Sequence, residues 1–351
     1  MKVLFHLAHP AHFHLFKNVI KDLKYLNENV FITFNDKDIL EDLIQKSELK
    51  DISIKLKARK TLLTKKDLVL QFYEKIYSLY KILKKEKPDL VMGTSIIISI
   101  AGRILGIPNT IVNEDDFDII KYTANIGYHF ADKIICPEVC RTGKWEYKCI
   151  KHNSYHELSY LHPNHFTPDI RVVEKYISID RPFSIMRFAK LSAHHDVGIK
   201  GINDNYAIKV IKKLENYGDV YITSERDIGP ELNDYRLEIN PLDIHHFLAF
   251  SKLYIGDSQT MAAEAAVLGT PFIRVNDFVN RISYLDELEN KYNLGYGLLP
   301  NNAESIYELI DRILNSDYYE LARKKQKMLD EKIDFSNYLT NYIKNFVRIK
   351  N

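Results

Sequence analysis

The chain of 351 residues has few cysteines and few of the residues that mark repetitive or disordered sequences. Its three cysteines, Cys136, Cys140 and Cys149, are an odd number, which does not suit a disulfide framework and indicates a reducing compartment. They also lack the paired Cys-x2-Cys spacing of structural zinc sites. With 13 glycines, 11 prolines, 46% apolar and 27% charged residues, the composition argues against disorder, collagen-like repeats and a coiled coil.

The sequence also lacks an apolar run long enough to span a bilayer. The longest run extends from Leu90 to Gly102 and is bounded by Asp89 and Arg103. No secretory signal is expected, because Met1-Lys2 leads directly into the strand-like VLFHLA without a cleavage site. The sequence therefore predicts a cytoplasmic protein.

The net charge of +2 conceals one strongly basic stretch. Between Lys50 and Lys87, twelve Lys or Arg residues accompany four Asp or Glu residues, a local excess of +8. No zinc-finger, homeodomain or RNA-binding pattern surrounds this stretch, so no nucleic-acid partner is predicted. Because apolar and aromatic residues interleave with the lysines, we predict peripheral docking on an anionic membrane, at the inner face. The alternative is a solvated helix whose Phe72, Ile76 and Tyr80 face the core.

Short apolar runs alternate with amphipathic stretches along both halves of the chain. Such alternation requires crossover connections and predicts parallel sheets with helices on both faces. The predicted strands are 2–8, 29–33, 52–56, 89–92, 109–112, 134–137, 183–187, 219–223, 253–255 and 271–275. The predicted helices are 13–26, 36–45, 66–87, 95–105, 203–216, 242–250, 260–268, 305–314, 317–331 and 335–347. Residues 153–181 fit a linker, and the length suits two α/β domains.

The segment IGDSQTMAAEAAVLGTPFI, residues 255–273, carries the most informative motif. A strand leads directly into a helix of small residues, so Ser258, Gln259 and Thr260 lie at a helix N-terminus, where a phosphate is favoured. Glu264 follows one turn later in an otherwise apolar helix, and its carboxylate is able to accept hydrogen bonds from both hydroxyls of a ribose. An ordinary helix cap with a surface glutamate is the alternative.

The first strand is followed by HPAHFH, which contains His9, His12 and His14. This loop lies at the carboxyl edge of a doubly wound sheet, where ligands bind. His9 or His12 is therefore a candidate general base or phosphate donor, whereas His14 begins the helix. Helix capping and packing are the alternatives for these histidines. A zinc site is disfavoured because no fourth ligand is nearby in the sequence.

Two further polar clusters follow predicted strands. The Asn113-Glu114-Asp115-Asp116 run places three carboxylates together, and their repulsion favours acid–base chemistry. A helix N-cap explains Asp116 better than it explains Glu114. At the start of the second half, the candidate phosphate and nucleotide contacts are Arg187, His194, His195, Ser224 and Glu225.

The Glu264–Gly269–Pro271 spacing, with Ser258 and Thr260 upstream, resembles the donor-binding signature of GT-B nucleotide-sugar enzymes. These include the lipid II-forming N-acetylglucosaminyltransferase and the non-hydrolysing UDP-N-acetylglucosamine 2-epimerases. Over nearly the whole chain the sequence is more similar still to the family known as domain of unknown function 354. The matching segments are HPAHFHLFKN, LSAHHDVGIKG, YITSERDIGPEL, IGDSQTMAAEAAVLGTP and LENKYNLGYG.

This resemblance implies an α/β fold of the GT-B type, with two Rossmann-like doubly wound domains facing a cleft. The N-terminal domain is expected at 1–165, the nucleotide-sugar domain at 182–334, and the last helix, 335–351, is expected to return to the N-terminal domain. The implied function is a metal-independent glycosyltransferase without a cofactor, working in surface polysaccharide or glycolipid synthesis. Its donor would be a UDP-sugar and its acceptor a glycan or a lipid-linked molecule.

The resemblance leaves two alternatives open. In a UDP-sugar 2-epimerase, Glu114 aligns with a catalytic glutamate and would move a proton at C2 of the sugar. However, the epimerase pattern has an aspartate where this chain has Met92-Gly93-Thr94-Ser95, which weakens that interpretation. The other alternative is a protein that binds nucleotide-sugars without turnover.

Overall fold

Two parallel β-sheets, each flanked by helices, form the framework of the chain in the computed structural model. The structure describes residues 1–36, 39–59, 64–190 and 201–350. It divides into two compact units, Met1–Tyr160 with Ile333–Asn351, and Leu161–Lys332. The prediction of two Rossmann-like α/β sheets is confirmed, since every described pair of strands is parallel.

The first unit contains a seven-stranded sheet in the order β3-β2-β1-β4-β5-β6-β7. Its strands are β1 (Lys2–Leu7), β2 (Asn29–Phe34), β3 (Ser53–Lys55), β4 (Leu90–Gly93), β5 (Asn109–Val112), β6 (Lys133–Pro137) and β7 (Cys149–His152). Its first five helices are α1 (Pro10–Tyr25), α2 (Leu40–Gln45), α3 (Lys65–Glu86), α4 (Ile96–Leu105) and α5 (Lys121–Phe130). The central strands β4 and β5 are buried at every position, as strands covered on both faces must be.

The second unit contains a five-stranded sheet in the order β12-β11-β10-β8-β9. Its strands are β8 (Phe183–Phe188), β9 (Asp219–Ser224), β10 (Tyr254–Gly256), β11 (Phe272–Val275) and β12 (Gly295–Leu298). Its helices are α6 (Ile170–Glu174), α7 (Asp204–Leu214), α8 (Ile244–Phe250), α9 (Gln259–Leu268), α10 (Ser283–Asn290), α11 (Ile306–Leu314) and α12 (Tyr318–Glu331). The last helix, α13 (Phe335–Lys350), belongs to the first unit and packs against α1.

Several elements differ from the sequence prediction. Helix α1 begins at Pro10 rather than residue 13, because proline suits the first turn and the preceding histidine caps it. The strands β7 and β12 and the helix α5 were not predicted, since their short polar or glycine-containing sequences lack a clear apolar period. The segment predicted as a linker, 153–181, contains α6 and a 3-10 turn at His156–Ser159.

Helix α3 divides the basic stretch into a buried and an exposed face. Thr64 and Asp67 form a capping box at its start, and Ile76 is buried together with Leu79 and Leu83. Its exposed apolar side chains are Leu68, Val69, Leu70, Tyr73 and Tyr77. The core-facing alternative is confirmed for Ile76, while Phe72 and Tyr80 are partly buried, and membrane docking stays a prediction. Two apolar residues of the basic stretch that supported the membrane prediction, Leu62 and Leu63, precede α3 in the sequence and lie outside the described residues.

Within the described ranges, none of the helices is both long enough and apolar enough to cross a membrane.

Candidate functional site

The predicted residues of the first unit follow three neighbouring strands. Because β1, β4 and β5 are adjacent and parallel, the loops after them share the carboxyl edge of the sheet. His9 and His12 follow β1, Thr94 follows β4, and Glu114 follows β5. The fold thus places these four residues at the edge where ligands of doubly wound sheets bind.

His9 and His12 make different local contacts. His9 is the N-cap of α1, and its Nδ1 accepts a hydrogen bond of 3.2 Å from the amide of Ala11. The Nδ1 of His12 accepts a hydrogen bond of 3.0 Å from the amide of Ala8, and its Nε2 lies 2.6 Å from Thr94 Oγ1. Thr94 Oγ1 also lies 2.9 Å from Nδ1. Because the Ala8 amide only donates, a neutral His12 carries its hydrogen on Nε2.

His14 does not begin the helix, as the sequence suggested, but lies in its second turn. It is buried, and its ring packs on Tyr160 with the centroids 5.2 Å apart. This contact assigns His14 to the packing of α1.

Glu114 is paired with a histidine that the sequence analysis did not single out. His156 Nδ1 lies 3.2 Å from Glu114 Oε2, and the His156 ring stacks on Phe335 of α13, 5.4 Å between centroids. Burial lowers the pKa of His156 to about 4, so the imidazole is neutral near pH 7. A neutral imidazole at this distance borders the carboxylate of Glu114 without cancelling its charge.

The neighbouring Asp116 has a structural contact. It is fully buried, and its Oδ1 accepts from the amide of Arg141 at 2.8 Å and from the Arg141 Nε at 3.1 Å. The residues of the acidic run therefore have different roles. Asp116 fixes the position of Arg141, whereas Glu114 lies beside His156 at the edge of the sheet.

In the second unit, helix α9 begins at the carboxyl end of β10. Ser258 is its N-cap and accepts from the amide of Met261 at 3.4 Å, and Gln259 and Thr260 are partly exposed in the first turn. Tyr254, which the sequence analysis missed, is fully buried and donates its hydroxyl to Ser258 O at 3.2 Å. This contact fixes the turn that presents the first amides of α9.

Arg187 projects from β8 on the same side of the sheet as Tyr254. Its neighbours Met186 and Phe188 join the apolar core under α7 and α11, so strand alternation turns Arg187 toward α8 and α9. The guanidinium forms an ion pair with Glu225, another predicted contact. Burial raises the pKa of Tyr254, and among the charges Asp257 raises it, Arg187 lowers it and Glu264 raises it.

The remaining candidates of this unit are placed as follows. Ser224 closes its own turn, with Oγ donating to Arg226 O at 2.7 Å and accepting from the Arg226 amide at 3.2 Å. His194 and His195 lie outside the described residues.

Glu264 is buried rather than on the surface, and its partner is His245 of α8. The two side chains are 7% and 4% exposed, and His245 Nε2 lies 3.0 Å from Glu264 Oε1. The sequence signal for this contact is weak, because His245 lies in a short apolar helix where a histidine is commonly a packed core residue.

A cavity of about 1030 Å³ lies at the same carboxyl edge but toward α7. Its charged lining consists of Lys190, Asp204, Arg226, Asp257 and Asp277. None of the described residues predicted to bind the donor lines it, and Arg187 faces α8 and α9 on the other side of the sheet.

Asp257 lies beneath this cavity, directly before the N-cap of α9. Its Oδ1 accepts from the amide of Ala189 at 2.6 Å and its Oδ2 from the amide of Ile202 at 3.2 Å. Burial raises the pKa of Asp257 to about 6, although these amides and Arg226 counteract the shift.

Among the residues that the structure describes, no three His, Cys, Asp or Glu side chains are grouped as metal ligands would be.

Comparison with known proteins identifies a family. The family model described as "Protein of unknown function (DUF354)" matches residues 1–347, and the chain belongs to this family. No curated protein matches the chain.

Solved structures match the chain over nearly its full length. The UDP-GlcNAc 2-epimerase of Neisseria meningitidis bound to UDP-GlcNAc has a TM-score of 0.66 at 15% identity, with 100% of both chains covered. MurG of Acinetobacter baumannii has 0.60 at 13% identity, covering 98% of this chain and 100% of its own. The calicheamicin glycosyltransferase CalG4 has 0.61 at 12% identity, covering 99% and 98%. These similarities show that the chain has the GT-B fold.

Asp257→Asn is predicted to remove a pH-dependent part of the stability. The carboxyl has a pKa of about 6 in the folded protein against an ordinary value of 3.8, so the folded chain holds the proton more tightly. The contribution of this carboxyl to the free energy of unfolding is fully present below pH ~3.8. It is lost as the pH rises through ~6, and the total loss is up to roughly 3 kcal/mol.

Urea unfolding of both proteins between pH 4 and 7 measures this effect. The wild type should lose free energy of unfolding relative to Asp257→Asn across that window. Parallel pH profiles for the two proteins would contradict the assignment.

Proposed function

We propose that this member of the DUF354 family is a glycosyltransferase that uses a UDP-sugar as donor and acts in surface polysaccharide or glycolipid synthesis. The observation that carries the proposal is that Arg187 and Tyr254 project from neighbouring strands on the side of the sheet that α9 covers, with Ser258 and Glu264 in α9 itself. This arrangement combines a cation, a helix N-terminus and a carboxylate. A nucleoside diphosphate offers the matching groups, a charged diphosphate and a ribose diol.

The donor chemistry follows from these groups. The amides of the first turn of α9 and the Arg187 guanidinium would neutralise the diphosphate as it leaves, so transfer does not require a metal ion in this scheme. Arg187 is paired with Glu225 in the structure, and a bound diphosphate would compete with Glu225 for the guanidinium. Glu264 would accept hydrogen bonds from the ribose hydroxyls.

The first unit would supply the acid–base groups. Glu114 is the proposed base that takes the proton from the acceptor hydroxyl, and His12, whose Nε2 carries a hydrogen, is the proposed second catalytic group that donates a hydrogen bond to the reacting sugar, with His9 at the start of the same helix. Thr94 lies against His12 where the epimerase pattern has an aspartate. Since threonine does not supply a carboxylate, this contact favours transfer over epimerisation.

Epimerisation remains the second candidate, because Glu114 lies at the carboxyl edge of the sheet beside His156 and the fold is shared with the Neisseria meningitidis UDP-GlcNAc 2-epimerase. One incubation with UDP-GlcNAc, with and without acceptor, separates the candidates. Sugar transfer only with acceptor supports the proposal. An epimer formed without acceptor supports the epimerase, and binding without any product supports a nucleotide-sugar-binding protein.

Glu264→Ala is predicted to weaken UDP binding by about 1–3 kcal/mol, because two hydrogen bonds to the ribose are lost. Titration calorimetry measures the affinity, and thermal unfolding checks the fold, since His245 also loses its partner. Glu320→Ala, on the exposed face of α12, is the matched control and should bind UDP as the wild type does. Unchanged affinity in a folded Glu264→Ala protein would remove the ribose role.

His12→Ala and Glu114→Gln are predicted to lower turnover about 10²- to 10⁴-fold while UDP affinity stays nearly constant. Such a split is expected when a group acts mainly in the transition state. Turnover is measured with saturating donor, and UDP affinity by calorimetry on the same preparations. A parallel loss of UDP affinity would assign these groups to the diphosphate instead.

The exposed face of helix α3 is the proposed membrane-binding surface. Lys66, Leu70, Tyr73, Tyr77 and Lys81 recur at helical spacing, and the last two form a contact in which Lys81 Nζ lies 4.2 Å from the Tyr77 ring centroid. An exposed apolar stripe flanked by lysines suits an anionic lipid surface, where each basic residue contributes about 1 kcal/mol.

Vesicle sedimentation tests this surface. Binding to anionic but not neutral vesicles is expected, with loss at high salt and in a variant carrying Glu at Lys66, Lys81 and Lys84. The matched control carries Glu at Lys209, Lys212 and Lys327, which are exposed in the second unit. Equal loss in both triple variants, or no binding of the wild type at low salt, would contradict the proposal.

A further inference from the structure

The contact between His245 and Glu264 joins two helices of the second unit. His245 lies in the first turn of α8, and Glu264 lies in the middle of α9. Their side chains meet at 3.0 Å between Nε2 and Oε1, and both are almost completely buried. An ionised carboxylate only accepts hydrogen bonds, so the hydrogen of this bond is on the histidine Nε2.

His245 is itself held in place by its surroundings. The ring of Phe166 meets the His245 ring edge-on, 6.0 Å between centroids. Helix α8 is tied to the segment after α9 by Thr270, whose Oγ1 donates to Leu248 O at 2.5 Å. A donor fixed in this way sets the rotamer of the carboxylate it contacts.

The hydrogen bond from His245 leaves Glu264 Oε1 able to accept another one. A carboxylate oxygen has two lone pairs, so Oε1 is able to accept from His245 and from a ligand hydroxyl together. Burial makes the bond important, because a carboxylate without a donor in a buried position pays its full desolvation cost.

We propose that His245 is a positioning residue that orients Glu264 toward the 2′ and 3′ hydroxyls of a ribose and so makes the site selective for ribonucleoside diphosphates. The inference rests on the proposed function, since it assumes that a nucleoside diphosphate binds at α9. His245 acts through Glu264 and does not contact the ligand.

The test compares UDP with 2′,3′-dideoxy-UDP, which lacks both hydroxyls, by calorimetry on the full chain. The wild type should prefer UDP by about tenfold or more. In His245→Asn the side-chain amide reaches only as far as the imidazole Nδ1, so the preference should fall about tenfold, with dideoxy-UDP affinity unchanged. His245→Gln places its amide near the position of Nε2 and should restore the preference.

His246→Asn is the matched control, because His246 is the adjacent residue and accepts from the Asp169 amide at 2.9 Å. It should keep the preference of the wild type. Equal weakening of both ligands in His245→Asn would overturn the inference and leave a structural role, as would an unchanged preference. Wild-type protein that binds both ligands equally would overturn it while leaving nucleotide binding in place. Wild-type protein that binds neither would contradict the proposed function, and the inference with it.

Discussion

The parallel pairing of strands is the constraint on which the rest of the structure depends. It forces every crossover to return to the same end of the sheet, so the loops after β1, β4 and β5 lie together in the first unit. In the second unit it brings the ends of β8, β9 and β10 together in the same way. Polar residues that are distant in the sequence thereby become neighbours, while the apolar residues whose burial stabilises the fold remain on the faces of the sheets.

Much of this arrangement could be predicted from the sequence, because alternating strands and helices determine which loops share an edge. The N-terminus of α9 was predicted from its small residues and its serine cap, and Ser258 is that cap. Partners that lie on another element could not be predicted. The pairing of Glu264 with His245 and that of Glu114 with His156 depend on how helices and turns pack, and no local pattern marks either histidine.

The boundaries of short elements were missed for a related reason. Strand β7 has the sequence CIKH and is stabilised by its pairing with β6, not by an apolar alternation of its own. Tyr254 was seen only as part of a buried strand, and its hydroxyl contact with Ser258 O becomes apparent only once the turn is folded. Neither feature has a signature in the sequence that is independent of tertiary packing.

The polar groups of the candidate donor site already have protein partners, Arg187 with Glu225 and Glu264 with His245. A ligand therefore has to exchange or share these contacts, which favours one that is both anionic and rich in hydroxyls. A crystal structure of the protein with UDP tests this account most directly. The account predicts the diphosphate within hydrogen-bond distance of the first amides of α9 and the ribose on Glu264. UDP bound instead in the cavity lined by Lys190 and Asp204, away from Glu264, would contradict it.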